Sequence, residues 1–488
     1  MSKKLINGNV IAHVVSYSII MMGVLMLPAV ATAAYYGESD LEALCFSFVI
    51  TLGSGGLLSF LTRKSKDAEI KKRDGYLIVT LSWVSMAIFA TLPYLLSGAI
   101  PSISNAFFES MSGLTTTGAT ILDDIESKSH GILLWRSMTQ WIGGMGIIVL
   151  TIAILPLLGI GGMELFVAEA PGPTKDKIHP RIKETAKRLW AIYLLMTITE
   201  TVILMFCGMS FYDAINHSLT TTSTGGFSTK QDSIAAFNSP VIEMVIVFFM
   251  FLAGTNFTLI YFGFKGKFRQ FLNNDEFKYY LGAVIGLIAV ITPIVYFEAD
   301  LSFGRSLRDT TFQVVSMITT TGYATADYTS WGPLATFIFF LLLFSGASAG
   351  STSGGIKIVR IVTLMKNGFL EFKKRLHPNA VIPVNLNKQT IPPHIIYNLL
   401  AFIFLYLFIF TVGAIVMTAL GESFDVALSS VATSLGNVGP GIAEVGPANT
   451  FSHISDPGKW VLSFLMLFGR LELFTVALLF TPYYWRRN

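Results

Sequence analysis

The sequence predicts an all-α polytopic membrane protein: four pseudo-symmetric helix–pore loop–helix repeats around one central pore, preceded by two additional transmembrane helices. Three observations carry this. Of 488 residues, 52% are hydrophobic and 13% charged, with a mean hydropathy of +0.61, whereas soluble proteins carry roughly 25% charged residues. The apolar residues come in runs such as Val241 to Phe264 and Leu399 to Leu420, long enough for a bilayer core that needs ~20 helical residues. Finally, a threonine–glycine motif recurs with a fixed long period, which in a membrane protein marks pseudo-symmetry about a functional axis.

Two helices, at 10 to 34 and 41 to 62, come first. Lys3 and Lys4 before an apolar stretch ending at Ala31-Thr32-Ala33 have the layout of a signal peptide. The run is longer than a usual signal core, so an uncleaved membrane helix is expected. The repeats follow. In each, a helix runs outward (74 to 98, 186 to 208, 277 to 297, 395 to 419), a short segment dips back, and a helix returns inward (132 to 160, 240 to 264, 333 to 365, 458 to 482). The units are an N-terminal addition at 1–70 and pore repeats at 71–165, 166–270, 271–375 and 376–488. Asn105, Asp213, Asp309 and Asp425 are the expected N-caps of the dipping segments.

Charge sets the orientation. Lys3 and Lys4, Arg63 to Arg73, Lys175 to Arg188, Lys265 to Arg269, Lys366 to Arg375, and Arg486 with Arg487 alternate with acidic or hydroxyl-rich connections. By the positive-inside rule the basic clusters and both termini are cytoplasmic.

The outer connections contain Thr115-Thr116-Thr117-Gly118, Thr222-Ser223-Thr224-Gly225-Gly226, Thr319-Thr320-Thr321-Gly322 and the looser Gly436-Asn437-Val438-Gly439. Aligned on Gly118, Gly225, Gly322 and Gly439, the intervals are 107, 97 and 117 residues. A dehydrated cation needs oxygens in place of its water shell, and rings of loop carbonyls supply them. Glycine tolerates the backbone angles that turn carbonyls to an axis, and a short helix aims its negative end there. The candidate monovalent-cation filter is therefore Thr116, Thr117 and Gly118; Ser223, Thr224 and Gly225; Thr320, Thr321 and Gly322; and Asn437, Val438 and Gly439.

A second site is the run from Gly346 to Gly355, which includes Gly350 and Gly354 and is too rich in small and hydroxylated residues to stay helical. Irregular backbone at membrane depth must line a cavity or be buried in protein, so this segment is expected at the pore, on the cytoplasmic side of the filter, with close helix packing through small residues as the other reading. Its Gly350 to Gly355 spacing is not a nucleotide loop, because Ile356 and Lys357 stand where Lys and Ser or Thr are required. Arg470, inside the last membrane helix, needs a polar partner. Glu472 does not share its face, so the expected partner is the carbonyls of the 346–355 loop, with a purely structural ion pair as the other reading.

Weaker features complete the reading. Cys45 and Cys207 are expected to be buried packing residues, with no disulfide or thiolate metal site. The seven histidines show no ligand spacing, and a net charge of +4 does not suggest nucleic acid. Gly143, Gly144, Gly146 and Gly254 fit close helix packing. Asn256, Glu109 and Glu243 are open between contact with permeating ions or water and structural hydrogen bonding. No catalytic residue is expected.

The four-loop arrangement, with Ser434-Leu435-Gly436-Asn437-Val438-Gly439-Pro440-Gly441 as its fourth copy, resembles the Trk/Ktr/HKT superfamily of potassium transport proteins. The extra N-terminal pair is similar to the TrkH/TrkG type of membrane subunit. The resemblance implies potassium as permeant ligand. It associates each loop glycine with potassium selectivity, and a serine at the position of Gly118 with sodium selectivity in some plant members. It further implies gating by the 346–355 loop with Arg470 at the narrow point below the filter, a bacterial inner membrane and a homodimer. Control would come from a TrkA-like cytosolic ring carrying the nucleotide sites, with Lys366 to Arg375 as a docking or lipid-contact surface. A proton- or sodium-coupled potassium symporter is the alternative.

Overall fold

A computed structural model describes residues 6–65, 71–149, 178–380 and 382–486. Lys3, Lys4, Lys66, Lys175, Lys177, Arg487 and the inner end of the helix expected over 132 to 160 lie outside the described residues.

The apolar runs fold as helices because lipid offers the backbone no hydrogen-bond partner, so each N–H must be satisfied within its own segment. Six helices among the described residues are long and apolar enough to cross a membrane: Gly8–Tyr36, Leu41–Ser65, Lys72–Leu96, Ala186–Phe206, Asp275–Glu298 and Pro393–Ala419. Their outward faces stay apolar, as with Phe46, Val49, Leu57 and Phe60, all exposed on the second helix. Such a continuous face would be a liability in water and suits lipid. The chain is a multi-pass membrane protein. Cys45 lies on this exposed face and Cys207 is half-buried, which corrects the expectation of two buried packing residues.

Four short helices, Ile103–Leu114, Phe211–Thr222, Phe303–Ile318 and Phe424–Gly436, stand between the long ones. Each packs on the long helix before it and on the helix after it, and Asp456–Arg470 packs back on Ile103–Leu114, so the last unit meets the first. Arg73 strengthens that closure by donating to the carbonyls of Tyr484 at 2.9 Å and Arg486 at 2.8 Å. The residues that begin the short helices are serines, not the expected acids: Ser102, Ser210, Ser302 and Ser423. Ser210 accepts from the Asp213 N–H at 3.0 Å and donates to its carboxylate at 2.7 Å. Asp213 is thus the third residue after its cap, as Asn105 is after Ser102, while Asp425 is second and Asp309 lies in the second turn.

The inward helices also depart from expectation. The break near 346–355 is present, with Pro333–Leu342 and Ile358–Leu376 on either side. Two further helices expected to be continuous are broken. Pro240–Ala253 meets Phe257–Phe264 at 107°, and Asp456–Arg470 meets Phe474–Phe480 at 111°. At the first break Asn256 caps the new helix by accepting from Thr258 N–H at 2.8 Å, which gives this residue a structural role. At the second, Glu472 and Leu473 take positive φ. A two-stranded hairpin, Asn385–Leu386 with Gln389–Thr390, precedes the last outward helix; nothing in the apolar pattern signals it.

Candidate functional site

All four short helices end in the same way. The residue after the helix, or one further on, takes a left-handed φ: Thr116 at 53°, Thr224 at 53°, Thr320 at 56° and Asn437 at 52°. Its N–H reaches back to Gly113, Thr221, Met317 or Ser434, and the next N–H reaches the carbonyl of Ser112, Thr220, Ser316 or Thr433 at 2.8–3.1 Å. This is a Schellman ending, where glycine is the usual left-handed residue. Three threonines there store strain of roughly 1–3 kcal/mol each, a cost that persists where the surroundings enforce a functional geometry.

The chain then extends for one residue to a glycine of positive φ: Gly118, Gly226, Gly322 and Gly439. The second member is Gly226, not Gly225. Aligning the four motifs on sequence alone points to the first of the two adjacent glycines, Gly225. The left-handed residue and the back-bonding N–H place Gly225 level with Thr117, and Ser223 level with Thr115. Adjacent glycines admit either register, and only the demand for positive φ separates them.

These four glycines close a ring. A Cβ on Gly118 would strike the Gly225 carbonyl oxygen, on Gly226 that of Thr321, on Gly322 that of Val438, and on Gly439 that of Thr117. Each loop's glycine therefore lies against the preceding residue's carbonyl in the next loop, around all four. The same glycines line one cavity of about 70 Å³, together with Phe227, Pro440 and Phe451. The ring's walls are fixed by side chains. Gln140 donates to the Gly225 carbonyl at 2.7 Å and accepts from Phe227 N–H at 3.0 Å. Asn437 donates to Thr117 Oγ1 at 3.0 Å and to the Met466 carbonyl at 2.9 Å.

Glu109 and Glu243 are structural. Glu109 is fully buried and receives Arg136 at 2.6 Å, Thr120 Oγ1 at 2.9 Å and Ile121 N–H at 3.0 Å. Arg136 also holds the Ser228 carbonyl at 2.9 Å and stacks over Phe227, so this pair clamps the first loop to the second. Glu243 pairs with Arg308 at 3.3 Å.

Immediately against the ring lies the segment 343–357. Its two limbs meet through Gly346 N–H to Ile356 C=O and Ile356 N–H to Phe344 C=O, each 2.9 Å. Gly346 and Gly354 permit this, since a Cβ on Gly346 would strike the Gly354 carbonyl and one on Gly354 the Gly436 carbonyl. The segment touches every repeat directly or through Arg470. Gly354 N–H donates to Thr320 Oγ1 at 2.7 Å, and Thr352 Oγ1 donates to the Thr222 carbonyl at 3.1 Å. Gly350 C=O receives Phe257 N–H at 3.1 Å. Arg470 donates to the Thr352 carbonyl at 2.8 Å and the Gly143 carbonyl at 3.1 Å, matching the partner expected from sequence. Glu472 instead takes Arg360 at 2.5 Å. Gly355 has positive φ, and Gly350 does too. Missed by sequence reasoning were Gly226, Gln140, Asn437's bridging role and Thr352. A sequence signal existed only for Gly226, as the second of two glycines.

No group of three or more His, Cys, Asp or Glu side chains that could hold a metal occurs among the described residues. The ring instead offers backbone oxygens.

Comparison with known proteins follows the same lines. The family model described as "TrkH: Cation transport protein" matches residues 42–284 and 295–487. The Trk system potassium uptake protein TrkH of Escherichia coli strain K12 is 41% identical over 472 residues, 96% of this chain and 97% of that protein. The protein of the same name from Halomonas elongata is 37% identical over 480 residues, 98% of this chain and 99% of its own length. The crystal structure of the potassium transporter TrkH from Vibrio parahaemolyticus superposes with a TM-score of 0.90 at 36% identity, over 98% of this chain and 99% of that one. On the evidence of that match along nearly its whole length, this chain belongs to the TrkH family of cation transport proteins.

Proposed function

We propose that this chain is the membrane subunit of a potassium uptake system and conducts potassium through a gated, channel-like pore. The observation that carries the reading is the closed ring of glycine and carbonyl contacts joining Gly118, Gly226, Gly322 and Gly439 to the neighbouring loops. The curated relatives are named potassium uptake proteins. On this reading the fold is four pseudo-symmetric repeats, at 71–165, 166–270, 271–375 and 376–488, about one pore, with 1–70 added outside.

The filter comprises Thr116 to Gly118, Thr224 to Gly226, Thr320 to Gly322 and Asn437 to Gly439, with Ser223 supporting the second loop. Backbone carbonyls replace the ion's hydration, and four helix C-terminal ends stabilise positive charge on the axis. Segment 346–355, with Gly346, Gly350, Gly354 and Gly355, crosses the path, and Arg470 anchors it. Opening then requires Thr352 to leave Thr222, Ala253 and Arg470. Basic connections and both termini face the cytoplasm. There a homodimer would meet a TrkA-like nucleotide-binding ring, with Lys366 to Arg375 as docking or anionic-lipid contacts.

Rubidium flux into proteoliposomes with sodium competition tests this. Potassium-selective uptake that survives removal of the proton gradient at fixed membrane potential is expected. Uptake abolished by that removal would instead establish proton-coupled symport.

A further inference from the structure

A groove that the ring and the crossing segment do not use runs along three helices. The end of Gly8–Tyr36 and the short helix Phe211–Thr222 both pack on His130–Val149, and their rings Tyr36 and Tyr212 meet edge to face at 6.1 Å. The groove they line has a volume of about 940 Å³, at the upper end of the ~300–1,000 Å³ of small-molecule sites. Its lining runs from Pro28 to Tyr36, from His130 to Met138 and from Phe211 to Leu219, about 12 Å along each helix at ~1.5 Å per residue. One leaflet of a ~30 Å hydrocarbon core is ~15 Å deep, so the groove has nearly the depth of a leaflet.

Its chemistry changes along that depth. Away from the loops the lining is apolar, with Pro28, Ala31, Leu133, Leu134, Met138 and Leu219. At the loop end stand Glu126, Lys128, Ser210, Asp213, Thr229 and Lys230. Tyr35 and Phe211 are exposed beside them, as aromatic residues are at a membrane–water boundary.

The charges at the loop end are unevenly satisfied. Asp213 receives Ser210 Oγ at 2.7 Å and Thr229 Oγ1 at 2.6 Å, and the His130 ring is held by Glu38 at 2.7 Å. Lys128, Lys230 and Glu126 have no side-chain hydrogen bond or ion pair among the described residues. Two ammonium groups therefore face the groove with one free carboxylate. An inorganic anion would satisfy the lysines and leave the apolar end empty, and a hydrocarbon would do the reverse. A phospholipid supplies both parts, since basic pockets between membrane helices bind lipid head groups and lysine binds phosphate as a point charge.

We propose that this groove is a binding site for one phospholipid, with an acyl chain along Pro28, Leu134 and Leu219 and the phosphodiester between Lys128 and Lys230. That the leaflet is the outer one rests on the proposed orientation. The binding itself depends only on the membrane fold, so it stands or falls apart from the proposed pore.

Native mass spectrometry of the delipidated full-length protein tests it, with phosphatidylglycerol, phosphatidylethanolamine and diacylglycerol of the same chains added in turn. A phospholipid should stay bound at one per chain, and diacylglycerol, which lacks the phosphodiester, should not. Lys128→Gln/Lys230→Gln should cut retention several-fold, as should Ala31→Trp, which fills the groove and leaves the lysines in place. Lys267→Gln/Lys278→Gln, which removes the same charge from exposed positions elsewhere, should retain lipid as wild type does. Phospholipid should also raise the unfolding midpoint of wild type, because a ligand of the folded state stabilises it; inorganic phosphate should not. Diacylglycerol retained as well as phospholipid, equal losses from the two lysine pairs, or full retention in both groove variants overturns the proposal. An equal rise of the midpoint with inorganic phosphate overturns it too, in favour of a free-anion site. An Ala31→Trp protein that keeps its lipid but dissociates a wild-type dimer overturns it in favour of a second copy of the chain seated in the groove. If Ala31→Trp does not remain monodisperse, the comparison of the two lysine pairs decides.

Discussion

The ring and the segment crossing beneath it solve opposite problems with opposite chemistry. The ring is repetitive: four Schellman endings, four left-handed residues and four glycines, each blocked by the next loop's carbonyl. It is over-determined and has no freedom to move one loop alone. The segment 343–357 is unique, rich in hydroxyls, and held by scattered hydrogen bonds: Thr352 to Thr222 and Ala253, Ser348 to Gly254, Ala349 to Glu276, Gly354 to Thr320, and Arg470 to Thr352. The neutral bonds are worth about 1 kcal/mol net each, and those to Arg470 and Glu276 about 1.5–3 kcal/mol. On the proposed reading, a rigid ring suits discrimination between ions of similar size, and a segment held by separable hydrogen bonds suits a part that opens. Perturbing the ring should therefore change stability and selectivity, and perturbing the segment should change basal flux.

The largest expected effect is on the clamp that ties the first two loops. Glu109→Ala leaves Arg136 buried and unpaired, and breaking such a pair costs ~3–5 kcal/mol. Thermal unfolding in detergent should show a severe loss of stability. A near-normal midpoint would mean that the ring does not depend on its outer clamp.

Next come the glycines. Gly118→Ser and Gly226→Ser each place a Cβ on a neighbouring carbonyl oxygen at a positive φ, so a filter oxygen must move. Both should reduce potassium over sodium discrimination by roughly tenfold or more, about 1.4 kcal/mol, with basal flux less affected. The pair sharpens the comparison because it tests equivalence: a selective Gly226→Ser protein would break the fourfold ring. Smaller again is Arg470→Gln, which weakens the hold on Thr352 and Gly143. Basal rubidium flux should rise by up to roughly tenfold while selectivity persists. Lost selectivity with unchanged flux would reverse the roles assigned to the two regions.

The same contrast explains what was legible in the sequence. Repetition exposed the loops, because four copies at matching places are readable even when the fourth has Asn437 and Val438 for two threonines. It failed where the chain offered two answers, as at Gly225 and Gly226, since strain in a turn is set by neighbours, not by composition. The crossing segment was legible through lost helix propensity alone. The break at Gly254-Thr255-Asn256 had a faint signal, an N-cap residue between apolar runs. The break at Glu472 and Leu473 had none, for both are good helix formers and tertiary contact with Arg360 overrides them. The serine caps are not marked by one offset: Ser102 and Ser210 stand three residues before Asn105 and Asp213, Ser423 two before Asp425, and Ser302 seven before Asp309.

The smallest effect lies outside both regions and asks whether the N-terminal helices bear on the ring at all. Glu38, in the turn after the first helix, receives the N–H groups of His130 at 2.7 Å and Gly131 at 3.0 Å, and the His130 ring at 2.7 Å. Burial pushes its carboxyl upward, but the Gly131 and His130 N–H bonds outweigh burial and hold it below the ordinary 4.5. A group depressed on folding adds stability above its unfolded value and loses it as pH falls through its folded value. Glu38→Gln should therefore cost ~1 kcal/mol near neutral pH, and its deficit relative to wild type should shrink as pH is lowered below about 4.5, read as unfolding midpoints at several pH values. Selectivity and basal flux should stay as in wild type. The helix His130–Val149 begins at this contact and carries Arg136, Gln140 and Gly143 to the clamp, the ring and Arg470. A change of selectivity in Glu38→Gln would mean that this helix transmits a shift at its outer end, and that the N-terminal addition is part of the filter's support.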